Sequence, residues 1–254
     1  MEKDTMDLST EENTHNINVE IHNRQINFQL PNSNFMKNIV LSIFQGKDYP
    51  ILRLPKFIPN VIVDIGANIG ATALYFHAAY PDAQIYCYEP SPRNYKYLRE
   101  NSKYFNNILT LPYGLYNKSC DRLIYFGKDQ PAQDSIIKNT GVTENCELVK
   151  LVKVSEEIVK RKISRISILK LDTEGCEVSI LNEFLLELAN IDIDLIYVEY
   201  HSEEDRLSID GMMSERFILF YSQTNQPHRG NKGFISKSLI SKYPELECLK
   251  IKHN

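Results

Sequence analysis

The segment VIVDIGANIG, residues 61–70, constrains the fold more than any other part of the chain. It is an apolar run that contains one acid, Asp64, and continues through Gly66 and Gly70 into the sequence ATALYFHAA. Short apolar runs of this kind are typical of strands buried on both faces of a parallel sheet. Gly66 permits a tight turn, and Gly70 permits close approach of the next helix to the sheet. The segment therefore predicts a strand, a glycine turn and a helix.

The same alternation of strand and helix continues along the chain. Further strand patterns occupy 84–90, 107–116, 166–172, 194–200 and 217–222, and helical patterns occupy 71–79, 93–104 and 176–188. Such an order is typical of a parallel sheet with right-handed helical crossovers. We therefore predict an α/β fold with a mostly parallel, doubly wound sheet.

The segments around this pattern define the expected domain organisation. Residues 1–16 carry too few apolar groups to offset the entropy of ordering them, so we expect a frayed tail. Residues 17–58 alternate apolar and polar residues and then show a helical pattern at 35–44, which predicts an N-terminal β-hairpin and helix extension. Residues 59–254 form the main domain, and 118–155 are expected to be an insertion at the carboxyl edge of its sheet.

Composition and charge disfavour several classes of function. The chain has 254 residues, with 29 Lys and Arg against 33 Asp and Glu, so it lacks the general positive field that non-specific nucleic-acid binding requires. No apolar run approaches the roughly 20 residues of a membrane span, and the first residues do not have the pattern of a secretory signal. We therefore expect a cytoplasmic protein that binds neither nucleic acid nor membrane.

The glycine turn and the end of the second strand indicate a nucleotide-type cofactor. Glu89 follows that strand, where a carboxylate can accept hydrogen bonds from both hydroxyls of a ribose. The dinucleotide pattern GxGxxG is absent because Asn68 stands at the position of its second glycine. A dinucleotide-dependent oxidoreductase is therefore a less favoured alternative. Asp64 suits a cationic ligand better than it suits a phosphate.

A second group of polar residues follows the strand at 166–172, in the sequence ILKLDTEGCE. Lys170, Asp172 and Glu174 alternate with period two, so a continuing strand would direct one cation and two carboxylates to the same face. We expect this cluster to face a second substrate, the acceptor. The structural alternative, which we prefer for Glu177, is that the acids occupy the first turn of the next helix.

Glu199 and His201 extend this group, because they end the strand at 194–200 on the same sheet edge. A histidine oriented by a glutamate is suited to act as a general base. The alternative is that His201 only forms a hydrogen bond within a loop. Several carboxylates near one site permit a divalent cation, but Lys170 would compete with it, and the five cysteines are widely spaced. We predict no metal.

One weaker feature is the basic sequence HRGNKGF, residues 228–234. It is suited either to contact an anionic acceptor or to form a solvated loop, and the solvated loop is the favoured interpretation.

Together, these segments resemble the FkbM-type class I S-adenosylmethionine-dependent methyltransferases. The resemblance rests on VIVDIGANIG, YEPSPRNYKYL, PYGLYN, LKLDTEGCEVSIL and IYVEYH, which follow in this order between about residues 61 and 200. It implies a Rossmann-like methyltransferase fold, S-adenosylmethionine as methyl donor, and O-methylation of a hydroxyl on a sugar, glycan or natural product. A catalytically silent binding protein of the same fold is the alternative.

The resemblance also implies roles for individual residues. The donor site is expected to contain Asp64, Gly66, Asn68, Gly70, Glu89, Ser91, Tyr113 and Gly114, with Tyr113 placed to stack on an aromatic ring. The acceptor side is expected to contain Lys170, Asp172, Glu174, Glu199 and His201. The implied partner is a small-molecule or glycan acceptor. The N-terminal hairpin and the insertion are each suited to form a homodimer interface or an acceptor lid, and the pattern does not separate these two.

Overall fold

The N-terminal part of the chain folds as a hairpin followed by a helix. Strand β1 (Thr14–Ile21) pairs antiparallel with β2 (Arg24–Pro31), and helix α1 (Asn34–Phe44) follows. The Ser33 hydroxyl accepts a hydrogen bond from the Met36 backbone N–H and so caps α1. The structure is a computed structural model that describes residues 14–21, 24–54, 57–127, 134–137 and 142–243.

Strand β1 begins earlier than the sequence predicts. Thr14, His15 and Asn16, expected to belong to a frayed tail, pair in register with residues 29–31 of β2. Pairing of their backbone with the partner strand does not depend on apolar side chains. The remaining residues of the predicted tail, 1–13, lie outside the described part of the chain, as does the hairpin tip at 22–23.

The rest of the chain alternates strands and helices as predicted. The elements in chain order are β3 (Val61–Ile65), α2 (Ala71–Ala79), β4 (Gln84–Tyr88), α3 (Pro92–Ser102), β5 (Ile108–Leu111), β6 (Gly114–Tyr116), β7 (Cys120–Gly127), β8 (Val142–Lys153), α4 (Val154–Lys160), β9 (Arg165–Leu171), α5 (Glu177–Asn182), β10 (Asp192–Tyr200), α6 (Glu203–Met213), β11 (Phe217–Gln226), β12 (Arg229–Ser236) and α7 (Lys237–Ile240). A π-helical turn, Glu183–Glu187, extends α5.

The central sheet has seven strands in the order β11, β12, β10, β9, β3, β4, β5. The five strands from β10 to β5 are parallel, whereas β12 and β11 add antiparallel strands at one edge. The prediction of an α/β fold with a mostly parallel sheet is confirmed. Residues 229–234 correct the expectation of a solvated loop, because they belong to β12, and 230–234 are paired with β10 on one side and with β11 on the other.

Apolar side chains on the two faces of this sheet form two cores. Ile62 and Ile168 belong to one core, which continues into Phe28 of β2 and Val40 of α1. Val63 and Leu169, their neighbours in sequence, belong to the other core, because successive side chains of a strand point to opposite faces. The N-terminal hairpin and helix are therefore part of the main core, although they precede the predicted domain boundary at residue 58.

The segment after β5 forms a second, smaller sheet in the order β6, β8, β7. Strand β6 is parallel to β8, and β7 is antiparallel to it. Part of the loop between β7 and β8, residues 134–137, is described, and Ser135 pairs with Tyr125 of β7. The other residues of this loop, 128–133 and 138–141, lie outside the described residues.

Replacing Phe28 by alanine tests whether the N-terminal hairpin belongs to the core. The Phe28 side chain is 0% exposed, and its ring lies edge-on to that of Phe44 at 6.0 Å between centroids. We expect Phe28→Ala to lower the free energy of unfolding by about 3 to 5 kcal/mol, because it leaves a cavity. The control is Phe35→Ala, since Phe35 is 43% exposed. Equal losses in urea titrations of the two variants would contradict this account.

Candidate active site

A cleft of about 610 Å³, including its open mouth, lies at the carboxyl ends of the parallel strands. This is the edge at which open α/β sheets bind their ligands. Its walls come from the turn after β3, the end of β4, the small sheet, the segment 134–137 and the turn after β9. The lining residues are Ile65, Gly66, Asn68, Glu89, Pro90, Asn94, Gly114, Leu115, Ile124, Asp134, Ile136, Leu151, Asp172, Thr173, Glu174 and Cys176.

Glu89 is held rigidly at one side of this cleft. Its Oε2 accepts a hydrogen bond from the Asn68 N–H at 2.8 Å, and its Oε1 accepts one from the Ser91 N–H at 2.8 Å. Each carboxylate oxygen has a further lone pair for a ligand. Burial raises the pKa of Glu89 to about 7, against the effect of the two backbone donors, so this group titrates near neutral pH.

The turn after β3 requires glycine at position 66. Gly66 has a φ of +80°, and a Cβ atom there would lie 1.8 Å from the carbonyl oxygen of Asp172. Asn68 also has a positive φ, 51°, and its Oδ1 is buried without a hydrogen-bond partner among the described residues. The turn therefore lines the cleft with Gly66 and Asn68, while it packs directly against the turn after β9.

The other two glycines of the predicted donor site have different roles. Gly114 lines the cleft, where a Cβ would lie 2.7 Å from Leu151 Cδ2. Gly70 precedes α2 with a φ of +92°, and a Cβ there would lie 3.0 Å from Leu98 Cδ1 of α3. Gly70 therefore serves the packing of α2 against α3 rather than the approach of α2 to the sheet, and it is not among the residues that line the cleft.

Lys170 lies beneath the glycine turn rather than in front of the acceptor. Its Nζ donates a hydrogen bond to the Gly66 carbonyl at 2.6 Å and is 3.2 Å from Asp64 Oδ1 and 3.6 Å from Asp172 Oδ2. Burial alone would lower the pKa of Lys170, but the charges of Asp64 and Asp172 outweigh it and raise the pKa. The ammonium group is thus a fixed, buried cation, which corrects the expectation that it faces the acceptor.

Asp64 and Tyr113 do not occupy the predicted donor positions either. The Asp64 side chain is 0% exposed and pairs with Lys170, because Asp64 lies directly opposite Lys170 in the register of β3 and β9. The Tyr113 hydroxyl donates to Glu157 Oε1 at 2.8 Å and accepts from the Arg161 guanidinium, which holds its ring outside the cleft lining.

Ser91 contacts the segment 134–137, which forms part of the cleft wall. Its hydroxyl donates to Asp134 Oδ2 at 2.7 Å, and Asp134 also accepts from Arg93 Nε at 2.8 Å. Ser135 Oγ donates to the Glu174 carbonyl at 2.9 Å. These contacts hold the segment 134–137 against the cleft. Sequence reasoning missed Asp134, since a single acid within a polar loop gives no signal.

Asp172 and Glu174 line the opposite side of the cleft, and Glu199, which is not among the lining residues, lies close to Asp172. Strand β9 ends at Leu171, so Asp172 and Glu174 belong to a turn rather than to the predicted strand. Arg229 lies 2.9 Å from Glu174 Oε2 and 3.6 Å from Glu199 Oε1. Burial, followed by repulsion from Asp172, raises the pKa of Glu199 well above that of an ordinary glutamate.

His201 is enclosed by acids that favour its protonated form. Its Nε2 is 3.4 Å from Glu174 Oε2, and its Nδ1 is 3.5 Å from Glu177 Oε1. Burial would lower the pKa of His201, but Glu177 and Glu174 outweigh it and raise the pKa to about 12. An imidazolium ion has no lone pair to accept a proton, so the structure argues against the predicted general base role.

Glu177 behaves as its structural interpretation predicts. It accepts hydrogen bonds from the backbone N–H groups of Thr173 at 2.6 Å and Gly175 at 3.0 Å, and so holds the turn before α5. Burial would raise its pKa, but His201 and these donors lower it to about 2.

Asp172, Glu199 and His201 each offer one ligand atom, and these atoms lie within 4.8 Å of one another. Lys170 lies 3.6 Å from the Asp172 carboxylate and Arg229 lies 3.6 Å from the Glu199 carboxylate, so these two cations compete with a metal ion for the same oxygens. This set therefore does not fit a divalent cation well, and the absence of a metal stays a prediction.

The fold and the cleft define an α/β protein with a nucleotide-type site at the carboxyl edge of its sheet. Residues 64–225 match the Methyltransferase FkbM domain, which is more than half of the chain. The chain belongs to the FkbM methyltransferase domain family, and the resemblance found in the sequence is confirmed.

Two relatives and one solved structure support this result. Methyltransferase 1 of Beauveria bassiana is 28% identical over 159 residues, 55% of this chain and 63% of the relative. Hexuronic acid methyltransferase AglP of Haloferax volcanii is 27% identical over 157 residues, 61% of this chain and 62% of the relative. The chain thus spans less than two thirds of the length of either relative.

The solved structure is that of an FkbM methyltransferase from Methylobacillus flagellatus, with a TM-score of 0.50 and 15% identity. The match covers 75% of this chain and 47% of that chain. It confirms the predicted Rossmann-like methyltransferase fold. None of the helices in the described part of the chain is long and apolar enough to cross a bilayer. Cytoplasmic location, homodimer formation and the exclusion of nucleic acid stay predictions.

Replacing Gly66 by alanine tests the contact between the two turns. We expect Gly66→Ala to unfold the protein or to lower its unfolding free energy by several kcal/mol, because the Cβ collides with a backbone carbonyl. The control is Gly211→Ala in α6, since a Cβ at Gly211 has nothing within 4 Å. That variant is expected to be as stable as the wild type or more stable. Thermal unfolding compares the two, and similar melting temperatures for them would contradict the contact.

Replacing His201 by glutamine separates its structural role from a catalytic one. Loss of the imidazolium leaves the fully buried Glu177 carboxylate without its cation, which is expected to cost about 3 kcal/mol of unfolding free energy. The control is His15→Gln, at an exposed position of β1. Denaturant titration measures both variants. A His201→Gln protein of unchanged stability would show that this charge is not required by the fold.

Proposed function

We propose that this protein is an S-adenosylmethionine-dependent methyltransferase that acts on a hydroxyl oxygen of a sugar, glycan or natural product. The observation that carries the proposal is the carboxylate of Glu89, held by two backbone N–H groups at the side of a cleft next to a glycine turn. A carboxylate fixed in this way is suited to accept both hydroxyls of a ribose. Membership of the FkbM family supports the same donor.

The residues of the cleft fit such a donor. Gly66 and Gly114 line the cleft without side chains of their own, so a flat ligand can approach their backbone, and Asn68 lines the cleft beside Gly66. S-adenosylmethionine, when bound, supplies a methyl group on a positively charged sulfur. The nearby carboxylates of Asp172 and Glu174 favour a ligand of positive charge.

On the acceptor side, His201 is unsuited to act as a base, so we assign orientation of the hydroxyl to Asp172 and receipt of its proton to Glu199. Asp172 lines the cleft and can accept a hydrogen bond from the acceptor hydroxyl, which orients its oxygen. Glu199 lies beside Asp172, with ligand atoms of the two residues within 4.8 Å, and in its carboxylate form it is placed to receive the hydroxyl proton. The Haloferax relative is named a hexuronic acid methyltransferase, which supports a sugar hydroxyl as acceptor.

Calorimetric titration with S-adenosylhomocysteine, NAD and NADP tests the donor. We expect micromolar binding of S-adenosylhomocysteine and none of the dinucleotides. Binding of a dinucleotide alone would overturn the proposal in favour of an oxidoreductase. Incubation with deuteromethyl-labelled S-adenosylmethionine and a panel of methyl glycosides, followed by mass spectrometry, tests the transfer. Donor binding without transfer to any hydroxyl would favour the catalytically silent alternative.

The affinity for S-adenosylhomocysteine should depend on pH through Glu89. The carboxylate form, which dominates above its pKa of about 7, accepts both ribose hydroxyls, so binding should weaken as the pH falls below 7. Glu89→Gln should weaken binding at pH 8 by about 1 to 3 kcal/mol and remove the pH dependence. The control is Glu100→Gln in α3, since Glu100 is not among the residues that line the cleft. A pH dependence that persists in Glu89→Gln would assign it to another group.

A further inference from the structure

We propose that Tyr49, which precedes the family match at residues 64–225, is a positioning residue that holds the Asp172 carboxylate for the acceptor. This inference deepens the proposed function and rests on it. Tyr49 follows α1 in the N-terminal part of the chain, and its hydroxyl donates a hydrogen bond to Asp172 Oδ2 at 3.3 Å. The two residues are 123 positions apart in the sequence.

The ring of Tyr49 is fixed on several sides. The residue is 3% exposed, and its ring centroid lies 5.9 Å from that of Tyr197 and 6.3 Å from that of Phe76. The Lys170 ammonium lies 6.0 Å from the same ring. The hydroxyl is therefore delivered by a packed aromatic side chain with little freedom to move, as a positioning group requires.

The backbone around Tyr49 is also anchored. The Tyr221 hydroxyl of β11 donates to the Lys47 carbonyl, and the Tyr197 hydroxyl of β10 donates to the Pro50 carbonyl. We call residues 47–50 the strap. These two hydrogen bonds tie the strap to the sheet on both sides of Tyr49, so its position follows from contacts that do not involve Asp172.

The contacts of Asp172 show what Tyr49 contributes. Lys170 Nζ lies 3.6 Å from Oδ2, the same oxygen that accepts from Tyr49. Both protein partners thus engage Oδ2, which leaves Oδ1 for a hydroxyl in the cleft. Burial, followed by the charge of Asp172, raises the pKa of Tyr49 well above its usual value. Tyr49 therefore keeps its proton and acts as a donor.

Tyr49→Phe tests the proposal because it removes only the hydroxyl. The matched control is Tyr221→Phe, which removes a hydroxyl that anchors the strap without touching Asp172. With the methyl glycoside that the wild type methylates best, we expect Tyr49→Phe to lower kcat by about 10- to 100-fold, since a hydrogen bond to a charged group is lost. The affinity for S-adenosylhomocysteine should stay within about twofold, and Tyr221→Phe should retain kcat.

A double variant gives a second readout. If Tyr49 acts through Asp172, adding Tyr49→Phe to Asp172→Asn should lower kcat little further. An unchanged kcat in Tyr49→Phe, an equal loss in Tyr221→Phe, or fully additive losses in the double variant would each overturn the proposal.

Crystal structures of the wild type, Tyr49→Phe and Tyr221→Phe, each with S-adenosylhomocysteine, test the inference without a measurement of activity. We expect the Asp172 carboxylate to leave its position in Tyr49→Phe and to keep it in Tyr221→Phe. An unmoved carboxylate in Tyr49→Phe would overturn the positioning role. Failure of the wild type to methylate any glycoside would contradict the proposed function, and the crystal structures would still show whether Tyr49 holds Asp172.

Discussion

The buried ammonium of Lys170 is the interaction on which the rest of the site depends. It donates to the carbonyl of Gly66 in the first turn and pairs with Asp64 and Asp172, the second of which begins the turn after β9. A buried cation is stable only beside such partners. Loss of the Lys170 ammonium would in turn leave the buried Asp64 carboxyl without a compensating charge. The missing Cβ of Gly66 lets the two turns touch. The turns that carry the proposed donor and acceptor sides therefore contact each other and share Lys170 as a partner.

Charge compensation determines which carboxylates remain for chemistry. His201 and Arg229 neutralise Glu174 and Glu177, and the latter is also committed to the backbone of its turn. Asp172 and Glu199 each have a cation 3.6 Å away, Lys170 and Arg229 respectively, and are the carboxylates that we propose to face the acceptor. Arg229 lies just beyond residues 64–225, the part of the chain that matches the family, and the strap lies before it. Segments outside the family match thus contribute Tyr49 and Arg229 to the proposed acceptor side.

The sheet and the position of Glu89 at its carboxyl edge could be predicted, because the sequence patterns that indicate them are local. Apolar runs, glycines and the spacing between Gly66 and Glu89 report directly on strands, turns and the sheet edge. The roles of Asp64 and His201 could not be predicted, since each depends on which charges other elements place beside it. Lys170 pairs with the first, and the charge of Glu177 stabilises the protonated form of the second. No local sequence pattern indicates a role for Tyr49, because its hydrogen-bond partner, Asp172, lies 123 positions further along the chain.

The central claim is that one cleft places a nucleoside donor on Glu89 and an acceptor hydroxyl beside Asp172 and Glu199. A crystal structure of the protein with S-adenosylhomocysteine tests it most directly. The account predicts that both ribose hydroxyls donate to the Glu89 carboxylate and that the sulfur lies on the side of the cleft nearer Asp172. A ligand bound elsewhere, or bound in the cleft with its ribose away from Glu89, would contradict the account.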